Sequence, residues 1–157
     1  MRKDRWKAHV SFEILPRSEK RYLLDVVIKN DGMGPAYDIC FQFDREIPYD
    51  SPGPYKTLGS LPFLQKIEYL APNSEKRLFF NTFMELKKKN YPMEFNVEAK
   101  YRDWFGKLQS ESFHVDLKRL ENIIYILGKD IGEELEKIRK ELQELNREIR
   151  IQNQRRR

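Results

Sequence analysis

Reactive side chains are scarce in this sequence. Two histidines, His9 and His114, and a single cysteine, Cys40, are all the imidazole and thiol it holds. A general base needs a partner and surroundings that move its pKa toward its task. His9 alternates with Ala8 and Val10, and His114 lies between Phe113 and Val115, so both belong to the solvent face of a strand. Cys40 falls on the face opposite Ile39 and Phe41 and would react only if exposed; free cysteines more often act as small buried fillers. One thiol and two imidazoles fall short of a structural zinc site, and a lone cysteine makes no intrachain disulfide. Asp31, Asp38, Asp44 and Asp50 could converge on calcium, but their spacing matches no calcium loop. No glycine loop built to cradle phosphate precedes a helix, and no Ser/His/Asp arrangement stands out. The expectation is a protein that is not an enzyme, with no catalytic residues, no metal and no cofactor.

Recognition has better material. Residues 44–62 hold Pro48, Pro52, Pro54 and Pro62 around Tyr49, Tyr55 and, just beyond, Phe63. Proline-stiffened loops that present aromatics offer contact area at low entropic cost. The competing reading is a loop folded back over an open sheet edge. Trp104 and Phe105 stand at a hairpin tip, exposed unless the protein's own helix or a partner covers them. The glycines between Asn30 and Ala36 could line a ligand site, although a tight turn accounts for them more simply.

Charge narrows the partners. Of a formal net charge of +5, residues 1–20 carry +3 and residues 146–157 carry +4, which leaves the body at −2. A nucleic-acid-binding fold concentrates basic residues on its folded face, where phosphate contacts release counterions. Here the surplus sits at the ends, and Arg155, Arg156 and Arg157 read first as a solvated helix end. Binding of nucleic acid or an anionic surface through these basic termini is kept as an alternative.

The elements that would position these residues follow from two periodicities. Ala8, Val10, Phe12 and Ile14 alternate with His9, Ser11 and Glu13, the signature of a half-buried strand that Pro16 stops. Leu24, Val26 and Ile28 share a face in a second strand. Asn30-Asp31-Gly32-Met33-Gly34-Pro35 must turn, because it combines residues tolerant of positive φ with a proline that cannot extend a ladder. A third strand places Tyr37, Ile39, Phe41 and Phe43 inward. The proline-rich 44–62 stretch excludes a central strand. Short strands follow at Ile67 to Leu70 and from Leu78, with Thr82 to Asn90 ambiguous. A last hairpin runs from Met93 to Tyr101 and returns through Phe113, Val115 and Leu117. Six or seven such strands predict an antiparallel β-sandwich over residues 1–117.

Beyond Asp116 the period changes. Leu117, Leu120, Ile124, Leu127, Ile131, Leu135, Ile138, Leu142, Leu145 and Ile149 are spaced 3, 4, 3, 4, 4, 3, 4, 3, 4, a heptad with one irregular step. Residues 118–157 therefore form a helical, coiled-coil-like extension with a basic tail. Gly128 and Gly132 bracket the irregularity, and Asp130 with Glu133 has capping-box spacing. This predicts a short helix ending near Leu127 and a longer one from Asp130, with one continuous helix as the alternative. A seam of this kind must be buried, either against the sandwich or against other copies. Self-association through Ile131, Leu135, Ile138, Leu142, Leu145 and Ile149 is the favoured outcome. Glu134, Arg139, Glu141 and Glu148 flank that seam; orientation and strand number stay open.

The run Val26-Val27-Ile28-Lys29-Asn30-Asp31-Gly32-Met33-Gly34-Pro35-Ala36-Tyr37-Asp38-Ile39 resembles the N-x-G-x-G-P-A signature of prokaryotic immunoglobulin-like sandwiches related to CARDB domains. Leu70-Ala71-Pro72-Asn73-Ser74-Glu75 is similar to their L-A-P-G-E turn, with asparagine in place of glycine. Tyr101-Arg102-Asp103-Trp104-Phe105-Gly106-Lys107 is similar to their Y-x-D-x-x-G-K hairpin. The resemblance covers about residues 8–117 and implies an immunoglobulin-like fold. Proteins of this look, often uncharacterised, carry one or two membrane spans before the sandwich and an L-E-K-I helix after it, matched here by Leu135-Glu136-Lys137-Ile138. It further implies a binding or spacing module with no catalytic residues to carry over.

No apolar run here reaches the roughly 20 residues that cross a bilayer, and no leader of signal-peptide type follows Met1. The expected location is cytoplasmic, with membrane association only through an anchor outside this chain. The expected function is a non-enzymatic protein-interaction or scaffolding module that self-associates through its heptad helix. A carbohydrate-binding or adhesion-type sandwich using Tyr49 and Tyr55 is a further alternative.

Overall fold

The computed structural model describes residues 6–50 and 52–155, without the side chains of 122–133, 153 and 155. Seven strands come first: β1 (Val10–Pro16), β2 (Leu23–Asn30), β3 (Ala36–Phe43), β4 (Ile67–Leu70), β5 (Ser74–Thr82), β6 (Glu94–Arg102) and β7 (Leu108–Asp116). Short helices α1 (Pro62–Gln65) and α2 (Phe83–Lys88) lie between them, and α3 (Glu121–Arg155) follows. The strands form two antiparallel sheets in the orders β1-β2-β5 and β4-β3-β6-β7. That connectivity is a seven-strand immunoglobulin-like sandwich in which the fourth strand, β4, lies beside β3 and not beside β5. Contacts divide the chain into a unit ending at Arg119 and a second from Leu120 onward.

Alternation makes the core. Ala8, Val10, Phe12 and Ile14 are all buried, as are Leu24, Val26 and Ile28 on the neighbouring strand and Phe95, Val97, Ala99 and Tyr101 on β6. Phe12 of the first sheet meets Phe41 and Phe43 of the second at ring-centre distances of 5.5 and 5.7 Å. These tilted and edge-on contacts join the two layers where the aromatic payload is largest.

The third strand departs from simple alternation. Ala36 and Ile39 are both fully buried, three residues apart, and the register with β6 shifts between Tyr37 and Cys40. Asp38 at φ +49° supplies the bulge. Ile39 and Phe41 keep their inward places, but Tyr37 is turned to the outer face, where its ring packs on Tyr69 at 5.5 Å. The inward assignment of Tyr37 is therefore corrected.

The asparagine and glycines of the β2–β3 turn act by close approach. Asn30, fully buried, accepts from the backbone N–H groups of His9 and Gly32 and donates to the carbonyls of Gly34 and Leu70, all at 2.9–3.1 Å. A β-carbon on Gly32 would stand 2.3 Å from the Lys7 carbonyl oxygen, and one on Gly34 would stand 1.9 Å from that of Trp6. Glycine is required because the segment before β1 lies against the turn. Positive φ occurs instead at Asn73, φ +52°, at the start of the β4–β5 turn's return, and at Gly106, φ +74°.

The ambiguous Thr82 to Asn90 stretch is α2, capped by the Thr82 hydroxyl, which accepts from the Glu85 backbone N–H. Phe83 and Leu86 anchor it in the core. The predicted break in the long helix is absent: α3 runs 35 residues through Gly128 and Gly132. Continuing hydrogen bonds across two glycines costs about 2 kcal/mol relative to alanine, less than a fresh pair of helix ends. No helix among the described residues is long and apolar enough to cross a membrane.

Candidate functional site

The side chains with reactive chemistry are held apart. His9 is exposed, its Nε2 3.5 Å from a Glu111 carboxylate oxygen. His114 lies on the exposed face of β7, where its Nδ1 meets Asn96 Oδ1 at 2.9 Å. The Asn96 amide nitrogen donates to Asp44, which leaves Oδ1 to accept from the imidazole. The Asn96 backbone N–H, with its side-chain amide, holds the Asp44 carboxyl below the usual carboxylate range. Cys40 is half-buried on the outer face of the four-stranded sheet, so it is not a core filler. It lines an open groove of about 460 Å³ with Asp38, Lys66, Lys100 and Arg102. Asp38 pairs with Lys66 at 3.6 Å and Asp50 with Lys89 at 2.8 Å, so two of the four aspartates are already matched to lysines. No cluster of three or more metal-ligating side chains occurs among the described residues.

The proline-rich loop between β3 and β4 is built inward as well as outward. Ile47, Leu58, Leu61 and Leu64 are buried beneath it, and Pro48 bridges Thr57. Strand β5 pairs with β2 alone, so its other edge is open. Tyr49 donates its hydroxyl to the Phe79 carbonyl on β5 at 3.3 Å. Beside it, Asn81 on β5 reaches Asp50 at 3.4 Å. The loop thus covers part of an edge that would otherwise invite another strand. Lys89, then Tyr91, hydrogen-bond the Asp50 carboxyl and depress it, while burial and then that carboxylate push the Tyr91 phenol up to about 12. Tyr55 remains exposed and Phe63 half-buried.

Trp104 and Phe105 lie elsewhere. β3 leaves the loop end and starts at the opposite end, where the β2–β3, β4–β5 and β6–β7 turns gather. The β6–β7 turn is locked by Asp103, whose Oδ1 accepts from the Phe105 and Lys107 backbone N–H groups and whose Oδ2 accepts from Gln109. Burial alone would raise the Asp103 carboxyl, but these donors outweigh it and hold the group below its ordinary value. With the turn fixed, both rings project, each more than half exposed. Pairing also aligns Tyr69, Tyr37, Arg102 and Leu108 in one row across all four strands. Sequence reasoning missed this row because it turned Tyr37 inward. The signal was available: an aspartate, a residue tolerant of left-handed backbone, separates two apolar residues at an odd spacing.

On α3, taken by itself, Leu135, Ile138, Leu142, Leu145 and Ile149 are exposed by 48–60%. They share one stripe, and the other residues between Glu134 and Arg150 are all charged or polar; the Arg139–Glu136 ion pair, at 3.8 Å, lies on the same exposed segment. The Ile131 side chain, the Arg155 side chain, and all of Arg156 and Arg157 lie outside the described residues.

No curated protein and no solved structure matches the chain. A family model described as a domain of unknown function, DUF8453, matches residues 1–121, the whole sandwich and the first residue of α3. The chain belongs to this DUF8453 family.

Proposed function

We propose that the chain is a non-enzymatic interaction or scaffolding module, a CARDB-like sandwich brought together in several copies by the heptad-spaced stripe of α3. The observation that supports this most is the exposure of five leucine and isoleucine side chains at 3- and 4-residue spacing between Leu135 and Ile149. Burying one such side chain is worth about 1.5 kcal/mol or more, so an uncovered row of them is a strong drive to associate. The sandwich adds a rigid platform: its turns are fixed by buried polar anchors, Asn30 and Asp103, and it presents aromatics at one end.

Light scattering of the intact chain beside a truncation after Arg119 tests this reading. The cut must spare Leu117, which is buried and donates its backbone N–H to the Met93 carbonyl. The intact chain is expected to be an oligomer and the truncation a folded monomer. A monomeric intact chain contradicts the proposal.

A further inference from the structure

We infer that α3 self-associates in parallel and in register, with Glu134 of one copy facing Arg139 of the next. The inference rests on the self-association reading above and gives it a direction. Because α3 is continuous, its spacing fixes one heptad phase across the exposed stripe: Leu135, Leu142 and Ile149 occupy a, while Ile138 and Leu145 occupy d. The same phase puts Glu134, Glu141 and Glu148 at g, and Arg139 and Asn146 at e.

The g and e positions flank the seam and decide orientation. In a parallel pair each g residue faces the e residue five positions further along its neighbour. Glu134 then meets Arg139, and Glu141 meets the Asn146 amide, one ion pair and one carboxylate–amide contact on each side, with no like charges opposed. In an antiparallel pair g faces g. With Ile138 of one copy packed against Leu142 of the other, Glu134 would stand near Glu148 and Glu141 near its own copy, and like charges so placed repel. Within one chain Arg139 makes an exposed ion pair with Glu136 at 3.8 Å, of little worth to the helix and readily exchanged for a neighbour's carboxylate. Charge complementarity therefore selects a second copy of this chain as the occupant of the stripe and sets its direction. Leu135 at a with Ile138 at d also favours more than two strands, which parallel packing accommodates.

The test uses the full chain carrying Glu134→Lys, Arg139→Glu, or both, with association followed by sedimentation equilibrium. Each single change is expected to weaken association about fivefold, and the double change to restore it, because the pair is re-formed with its signs exchanged. If Glu134→Lys instead strengthens association, the parallel arrangement is overturned while self-association stands. An unmodified chain that is monomeric at every concentration overturns both. Orientation is read independently by oxidation of the Ile149→Cys chain in a Cys40→Ser background. The parallel arrangement forms disulfide-linked dimers from this variant alone. Cross-linking only when it is mixed with Leu135→Cys chains contradicts it.

Discussion

The side-chain nitrogen of Asn30 donates to the carbonyl of Leu70 at 3.1 Å, joining the last residue of β2 in one sheet to the last residue of β4 in the other. Its second donor goes to Gly34 and its oxygen takes two backbone N–H groups, so one buried amide satisfies four backbone groups. Removing a partner from buried polar groups exposes their full desolvation cost.

Asn30→Ala is therefore expected to lower sandwich stability by about 3 kcal/mol, read by urea unfolding. Asn30→Asp should behave differently with pH. Its ionised form would face two carbonyl oxygens, which raises its folded-state pKa above the unfolded value. Its penalty is then small at acid pH and grows as pH rises past the unfolded carboxylate range. An equal, pH-independent loss in both variants contradicts the assigned hydrogen bonds.

Gly34→Ala should destabilise the sandwich by about 3 kcal/mol, since its β-carbon would overlap the Trp6 carbonyl oxygen. Gly59→Ala is the control: its β-carbon would meet only the Phe43 ring at 3.4 Å, and thermal unfolding is expected to shift little. Equal shifts in the two variants would show that residues before β1 do not lie against the β2–β3 turn.

The Asp103 turn predicts an acid limb to stability. A carboxyl whose folded pKa lies below its unfolded value contributes stability that is complete above the unfolded value and disappears as pH falls through the folded one. Asp50 and Asp44 add in the same direction. Unfolding free energy should therefore fall below about pH 4, near the unfolded carboxylate value. Asp103→Asn, which keeps a neutral acceptor, should flatten that fall and sharpen no new one. An unchanged acid slope in Asp103→Asn removes the turn from the account.

Leu142→Ala should raise the dissociation constant for self-association by about tenfold or more, while leaving the unfolding of the sandwich unchanged. Sedimentation velocity over a concentration series reads the shift. Tyr55→Ala, on the exposed loop, should leave that constant unchanged.

Period-2 alternation carried most of the sandwich because each strand buries one face, and it succeeded where a strand is regular, as at Val10 to Ile14 and Phe95 to Tyr101. It failed at Asp38, where a bulge shifts the register by one residue and a pattern counted in twos back from Ile39 points the preceding side chain, Tyr37, the wrong way. It also understated β5, an edge strand whose outward residues mix charge with Phe79 and which begins at Ser74, ahead of any apolar run. The glycines of the β2–β3 turn were legible as a turn. Their requirement was not, because it depends on Trp6 and Lys7, more than twenty residues earlier in the chain. Gly128, Gly132 and Asp130 suggested a helix boundary by local propensity; the backbone continues because propensity alone is a weak determinant in a long helix. The aromatic row at Tyr69 and Tyr37 escaped notice for the same reason as the bulge. The α3 stripe was legible residue by residue, since a heptad needs no tertiary context to be seen.

Sedimentation equilibrium of the intact chain across a wide concentration range tests the central claim most directly. The account predicts a mass that rises with concentration to a whole-number multiple of the 19.0 kDa chain, and that falls back toward one chain in Leu142→Ala. A mass of one chain at every concentration would contradict it.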